Sequence, residues 1–450
     1  MRAKPKIVVI GAGIAGLTAA HYLNKYGYEV IVLEAQDAPG GRMRQLDMGG
    51  LRVNSGARVL FTYYKSVMEL ITELGIENEV EYVGMSDMVC EDVNTSYPVS
   101  FALNLDALFN SALKMTTRLR LAKLLPDLIR ARFFTDPDDM TTCSYLDDES
   151  MQSYFSRKVG EDFISKVVDP LFRGARSWNA EDVSPAFFLS TTAHTAGHRA
   201  FTFKQGIGYL NQQLASMLNV SFGAIVSRIE RKSNEPGVNI QYTKDGRSES
   251  LHADIAICAT EGAKIAELVK NQTAEETRFM KTIRYNSLGI VYYILKKDVD
   301  HGITFFTREH PSPLAILETV PEKDNKPHLF CELSPETVTE VANDDLRDGM
   351  DQLIIHEIKK RRSKLDQELD YSVNQWIEHM LPVFYPGYIA AIRQFIDHQD
   401  SHPQSIYYCG DYLSQALVGG ACDSGKRLAS LIARHHSLTK GATLSETRQV

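Results

Sequence analysis

The stretch that most constrains this chain is its opening, where Lys6-Ile-Val-Val-Ile10 runs into Gly11-Ala-Gly13-Ile-Ala-Gly16. A helical segment from Leu17 to Tyr26 and a second apolar run, Glu29-Val-Ile-Val-Leu33, follow and close on Glu34. A continuous apolar run bounded by glycine predicts a strand buried on both faces, and the Ala- and Leu-rich segment after it has helical periodicity. Gly11 makes the tight turn, Gly13 lets backbone approach a pyrophosphate, and Gly16 lets helix and strand pack closely. The pyrophosphate would rest on the unpaired amides and positive dipole end of that helix. Glu34 ends the second strand where a carboxylate accepts ribose hydroxyls, which favours FAD or NAD over a 2'-phosphorylated nucleotide. Ala15 and Ala35 flank the same cradle.

A second glycine pair follows at once, Pro39-Gly40-Gly41-Arg42, which a nicotinamide site would not need. Gly40 and Gly41 supply tolerant backbone, and Arg42 offers a planar fork of donors to phosphate oxygens. This segment resembles the glycine-glycine-arginine motif of the flavin amine oxidase superfamily, in which the arginine reaches the pyrophosphate. The resemblance returns near the end of the chain. There Ser405-Ile-Tyr-Tyr-Cys-Gly410-Asp411 precedes Leu417-Val-Gly419-Gly420-Ala421-Cys-Asp-Ser-Gly425. It implies that Gly410 and Asp411 meet the ribityl or phosphate region. It also implies that Gly420 and Ala421 open a helix aimed at the flavin ring, whose dipole would favour negative charge on a reduced flavin. A third block matches the family's middle segment, in which backbone near Val226 meets the adenine. It comprises Gly206-Ile-Gly208, then Gly223 to Ile229, Val238 to Tyr242 with the Asp245-Gly246 turn, and Ala253 to Thr260. Alternation around the Asp-Gly pair predicts a small antiparallel meander.

The implied fold is α/β: a Rossmann-like FAD-binding domain of the glutathione-reductase type with a mixed α+β substrate domain. The FAD domain is discontinuous, over 1–79, 203–285 and 396–436. A helical part (80–202) and a sheet-containing part (286–395) form the substrate domain, and 437–450 is a polar tail. Strands are expected at Ser287–Leu295, Ile303–Thr307, Leu314–Glu318 and His328–Glu332, and an amphipathic helix at Asp344–Arg361. At 450 residues the chain has length for two intertwined domains, and 44% apolar residues suffice for burial. A net charge of -8 argues against a nucleic-acid partner. Six scattered cysteines form no C-x-x-C pair, which fits reduced thiols in a cytoplasmic setting.

The opening apolar stretch is broken by cradle glycines, which argues against a secretory signal. No run approaches the ~20 apolar residues that span a bilayer. Between 107 and 132, however, Lys114, Arg118, Arg120, Lys123, Arg130 and Arg132 alternate with apolar residues, with no acid before Leu125. This is the pattern of a basic amphipathic helix that either caps a substrate domain or lies in a membrane interface.

Glu149–Gly160, Phe163–Gly174, Asp182–Ser184 and Trp376–Tyr388 resemble the substrate-domain region of protoporphyrinogen oxidase-like flavoproteins. The family's small-amine cage and propionate-gripping arginine have no clear counterparts. Tyr293 falls where monoamine oxidases carry a lysine, Leu417 or Val418 where they carry a tyrosine, and no arginine lies between Arg58 and Arg118. Arg58 follows Gly56 and Ala57, which border the flavin in the family. It would face the ring, meet a substrate acid or form a structural ion pair. Arg58 and Tyr293 are therefore the catalytic candidates, with Tyr388 as a further pocket aromatic. His194 and His198, at i and i+4 without a nearby acid, read as exposed helix-end residues and not as metal ligands. The expected activity is oxidation or desaturation at a C–N or C–C bond of a mid-sized, partly apolar metabolite. FAD is held without a covalent bond, and dioxygen is the acceptor. Porphyrinogen or amine oxidation, an NAD-dependent enzyme and a flavin-holding partner protein are the competing readings.

Overall fold

The computed structural model describes residues 5–84, 88–101, 112–232, 236–323 and 325–436. Its first sheet is wholly parallel and takes its strands from all three cofactor blocks. The order is Asn219–Ser221, Glu29–Leu33, Lys6–Ile10, Ile255–Cys258 and Ile406–Tyr408. Both faces are covered, as the continuous apolar runs require. Ile7, Val9, Ile255 and Ile257 pack with the helices Ile14–Lys25 and Val418–His435, whereas Val8, Ile10, Ala256 and Cys258 face a different core on the meander side. The meander itself is antiparallel, Ile225–Arg231, Val238–Lys244 and Arg247–Ala253. Asp245 and Gly246 both take left-handed backbone, φ 49° and 73°, the two-residue turn that suits a tight hairpin.

The second large sheet has seven strands: Leu369–Pro382, Tyr285–Leu295, His328–Leu333, Leu314–Val320, Gly302–Phe306, Met88–Glu91 and Ser96–Pro98. Four of these match the expected strands. Leu369–Pro382 escapes a periodicity argument because its polar run Asp-Tyr-Ser-Val-Asn-Gln pairs along Tyr285–Leu295 at the sheet edge, half-buried. The supposedly helical part 80–202 opens with three short strands, Val80–Val83, Met88–Glu91 and Ser96–Pro98, before its helices begin. The expected helix at Asp344 starts only at Met350, because Asp345 turns with φ 54° and a 3-10 turn, Arg347–Gly349, precedes it.

The basic segment is not one helix. Its described part runs Met115–Arg120, a 3-10 turn Leu121–Leu124, then Leu125–Phe134, where Pro126 lacks the amide to continue a helix and instead starts one. Residues 107–111 and the tail 437–450 lie outside the described residues. His194 corrects the expectation of an exposed pair. It is buried, 5% exposed, with Nδ1 2.8 Å from the Ser190 carbonyl in the helix Pro185–Thr195. His198 lies just beyond that helix against Thr62.

The two cofactor helices touch through glycine. A Cβ on Gly425 would lie 2.2 Å from the Ala15 carbonyl oxygen. Gly425→Ala is therefore expected to destabilise the fold by about 1–3 kcal/mol through overpacking. The effect would be seen as a lower urea midpoint at unchanged slope.

Candidate functional site

One cavity of about 1780 Å3 runs from the glycine cradle to the second sheet. It exceeds the roughly 300–1,000 Å3 of a usual single-ligand site, leaving room for a dinucleotide and a substrate together. Gly11, Gly13, Ala15, Glu34, Ala35, Gly41, Arg42, Gly56, Ala57, Arg58, Val226, Gly410, Asp411 and Ala421 all line it. Gly16 and Gly420 do not. A Cβ on Gly16 would meet the Gly11 carbonyl at 2.1 Å and one on Gly420 the Gln415 amide at 2.4 Å, so both work by close packing behind the wall.

The cradle fits a pyrophosphate. A Cβ at Gly13 would point into open space, and Gly13 caps its helix with no side chain to satisfy the first amides. The last helix begins in the same way, at Leu417, without a side-chain cap. Two sets of unpaired amides therefore converge on one groove, and the Thr260 hydroxyl in its wall is buried without a partner among the described residues. Glu34 accepts from the Ala12 amide at 2.6 Å and the Gln36 amide at 2.9 Å, which clamps the glycine turn and aims the carboxylate along the groove. Each oxygen keeps a lone pair for a ribose hydroxyl.

Arg42 donates to the Met380 carbonyl at 2.8 Å and pairs with Asp411 at 2.8 Å. Burial opposes its charge, but Asp411 and the neighbouring Tyr285 outweigh burial and raise its pKa. Arg42 and Asp411 thus line the cavity as an ion pair.

Beyond the cradle the wall turns apolar, with Phe163, Leu171, Phe172 and Phe188 from helices opposite Leu288, Phe305 and Phe330 from the sheet. Arg58 lies between the two regions, stacked on Phe330 at 4.1 Å and ion-paired with Glu318. Burial would raise Glu318, but Arg58 and His301 hold its carboxyl at about 2. Arg58 is therefore both a cavity residue and half of an ion pair.

Tyr293 does not reach the cavity. Strand alternation turns it to the far face, where its hydroxyl donates to the Asp351 carbonyl at 2.5 Å; the neighbouring Tyr292 lines the cavity instead. Tyr388 is also out of the cavity, fully buried with its hydroxyl on the Tyr412 carbonyl. Sequence reading missed Arg176, Tyr292, Glu318 and Glu332, all of which line the cavity. Glu332 left a signal, a carboxylate inside the apolar strand His-Leu-Phe-Cys-Glu-Leu. Burial pushes it up to about 8 against the opposing pull of Arg58 and Arg176.

Among the described residues no group of three or more His, Cys, Asp or Glu could hold a metal ion, and no helix is long and apolar enough to cross a membrane. A family model described as flavin containing amine oxidoreductase matches residues 14–433. Protoporphyrinogen oxidase 2, chloroplastic/mitochondrial, of Arabidopsis thaliana is 20% identical, covering 95% of this chain and 93% of that protein. Coproporphyrinogen III oxidase of Bacillus subtilis (strain 168) is 21% identical over 95% and 97%. Among solved structures, cyclohexylamine oxidase from Brevibacterium oxydans IH-35A superposes with a TM-score of 0.68 at 16% identity, over 96% of this chain and 99% of that one. That likeness shows a shared fold.

Removing the Glu34 carboxylate deletes charge-assisted hydrogen bonds and unpins the glycine turn. Glu34→Ala is expected to weaken FAD binding by about 10- to 100-fold. Reconstitution of apoprotein followed by flavin fluorescence measures it, and unchanged affinity would show that the ribose contact lies elsewhere.

Proposed function

Because the chain belongs to the flavin-containing amine oxidoreductase family and is an FAD-dependent oxidoreductase, we propose that it oxidises a C–N or C–C bond of a mid-sized, partly apolar metabolite. Dioxygen is the proposed acceptor. The observation that carries this reading is the continuity of the cavity, since the residues of the FAD cradle and the phenylalanine-rich wall line the same space. When bound, FAD supplies the hydride acceptor, and the rest of the work falls to the chain. Glu34, Arg42 and the two uncapped helix starts would hold the dinucleotide. The apolar walls would orient the substrate and exclude water, which strengthens every charge interaction inside. No cysteine lines the cavity among the described residues, consistent with a cofactor held without a thioether.

The test is an anaerobic screen of porphyrinogens, aliphatic amines and unsaturated lipids against the purified yellow protein. Bleaching of the oxidised flavin bands, restored by air, is the expected result. A protein that takes up FAD but is bleached by no member of the three classes would point to the flavin-holding alternative.

We also propose that the enzyme works in the cytoplasm at an anionic membrane surface. On the segment 115–134, Met115, Leu119, Leu125, Ile129, Phe133 and Phe134 are each more than half exposed, Phe134 at 76%. Around them stand Lys114, Arg118, Arg120, Lys123, Arg130 and Arg132, and the one acid, Asp127, is occupied by Lys158 and Tyr154. Apolar side chains ringed by cations match acyl chains beneath acidic headgroups. Replacing both Phe133 and Phe134 with Ser is expected to reduce co-sedimentation with phosphatidylglycerol vesicles by at least about tenfold. The wild-type binding should weaken with salt. Equal recovery of both proteins would refute the surface.

A further inference from the structure

We propose that Arg176 and Glu332 together take a carboxylate group of the substrate, with Arg176 offering its guanidinium donors and Glu332 the hydroxyl of its carboxyl group. The proposal rests on the reading that this cavity holds FAD and an apolar substrate, and it deepens that reading by naming a substrate class: apolar molecules ending in a carboxylate.

The fold brings these two residues together for a traceable reason. Arg176 ends the helix Asp169–Arg176, which approaches the sheet through Gly174, where a Cβ would lie 2.6 Å from Ile316 and 2.7 Å from Phe305. Ile316 is the register partner of Glu332 on the next strand, so the close approach at Gly174 sets the end of the helix against the strand pair that carries Glu332, and both side chains line the cavity. Ser177 then leaves the helix with φ 52°, and Asn286 pins the turn by donating to the Arg176 and Ser177 carbonyls at 2.7 and 2.9 Å.

Both groups are open to a ligand. Arg176 is paired with no carboxylate among the described residues. Its Nη1 donates only to the neighbouring Ala175 carbonyl, and its Nε is buried without a partner. The Glu332 side chain is buried and its carboxyl accepts no hydrogen bond among the described residues, although Arg58 and Arg176 both act on its charge.

The surrounding charges decide the ligand. On the neighbouring strands Glu318 is neutralised by Arg58 and reached by His301 at 3.4 Å. Burial lowers the pKa of His328, which keeps its imidazole uncharged, and the Tyr292 hydroxyl is spent on Gln375. Glu332 is protonated below about 8. One uncompensated positive charge, that of Arg176, therefore remains in an apolar wall, a costly arrangement that an anion would relieve. Above that pH Glu332 ionises, repels the anion and competes for Arg176, so affinity should fall as pH rises.

Decanoate, decanol and decylamine serve as probes, titrated into the FAD holoenzyme by calorimetry and by perturbation of the flavin spectrum. Decanoate is expected to bind at least about tenfold more tightly than the other two at about pH 6, and to lose most of that preference by about pH 10. Arg176→Met should abolish the preference. Glu332→Gln, uncharged throughout, should keep it and flatten its pH dependence. Flavin retention reports folding of both variants independently. A yellow holoenzyme that binds the three probes alike, prefers decylamine, or keeps its decanoate preference without Arg176 overturns the carboxylate assignment alone. A colourless protein that refuses FAD overturns the reading beneath it.

Discussion

The guanidinium of Arg42 is the contact on which the site's convergence depends. It binds the Met380 carbonyl, 338 residues away, and Asp411, 369 residues away, so one planar group ties the opening motif to the edge strand of the second sheet and to the last glycine turn. A buried pair of this kind contributes little net stability over a hydrophobic substitute, but breaking it by removing one partner costs about 3–5 kcal/mol. Its value is specificity: three segments that local propensity alone would not align are fixed at one point beside the phosphate cradle.

Most of the cradle was legible because its demands are local. Gly11, Gly13 and Gly16 had to be glycine for reasons of turn, approach and packing, and Glu34 follows them at a fixed offset. The four strands from Tyr285 to Leu333 were legible too, since each is a short run rich in β-branched, aromatic and other apolar residues. The substrate wall was not. Whether Tyr292 or Tyr293 enters the cavity depends on which face of the sheet is covered by the helices Pro335–Asn343 and Met350–Arg361, a tertiary fact that a run of eight buried residues conceals. Arg176 and Glu332 lie 156 residues apart and share one cavity wall because Gly174 allows a helix to settle on Ile316. No sequence period records that.

The two large sheets solve different problems with one physical means. The parallel sheet is apolar on both faces and serves as a rigid backing for amides and turns. The seven-stranded sheet is divided: its far face is closed by helices, and its near face carries Tyr292, Glu318, Phe330 and Glu332 into the cavity. Ionisable groups on that near face are tolerated because Arg58 answers Glu318 and because burial leaves Glu332 uncharged near neutrality. The helical layer adds edge-to-face aromatic packing, Phe155 with Phe163 and Phe188, which stiffens the roof above it.

The order of strands in the parallel sheet also governs how the molecule is made. Its central strand is synthesised before the other four, one of its neighbours only at Ile255–Cys258, and the closing strand Ile406–Tyr408 last. Asp411 and the amides opening Val418–His435 leave the ribosome later still. Until those segments emerge the nascent sheet carries an unpaired edge and an incomplete nucleotide groove, so a chain cut short before them would expose that edge to aggregation.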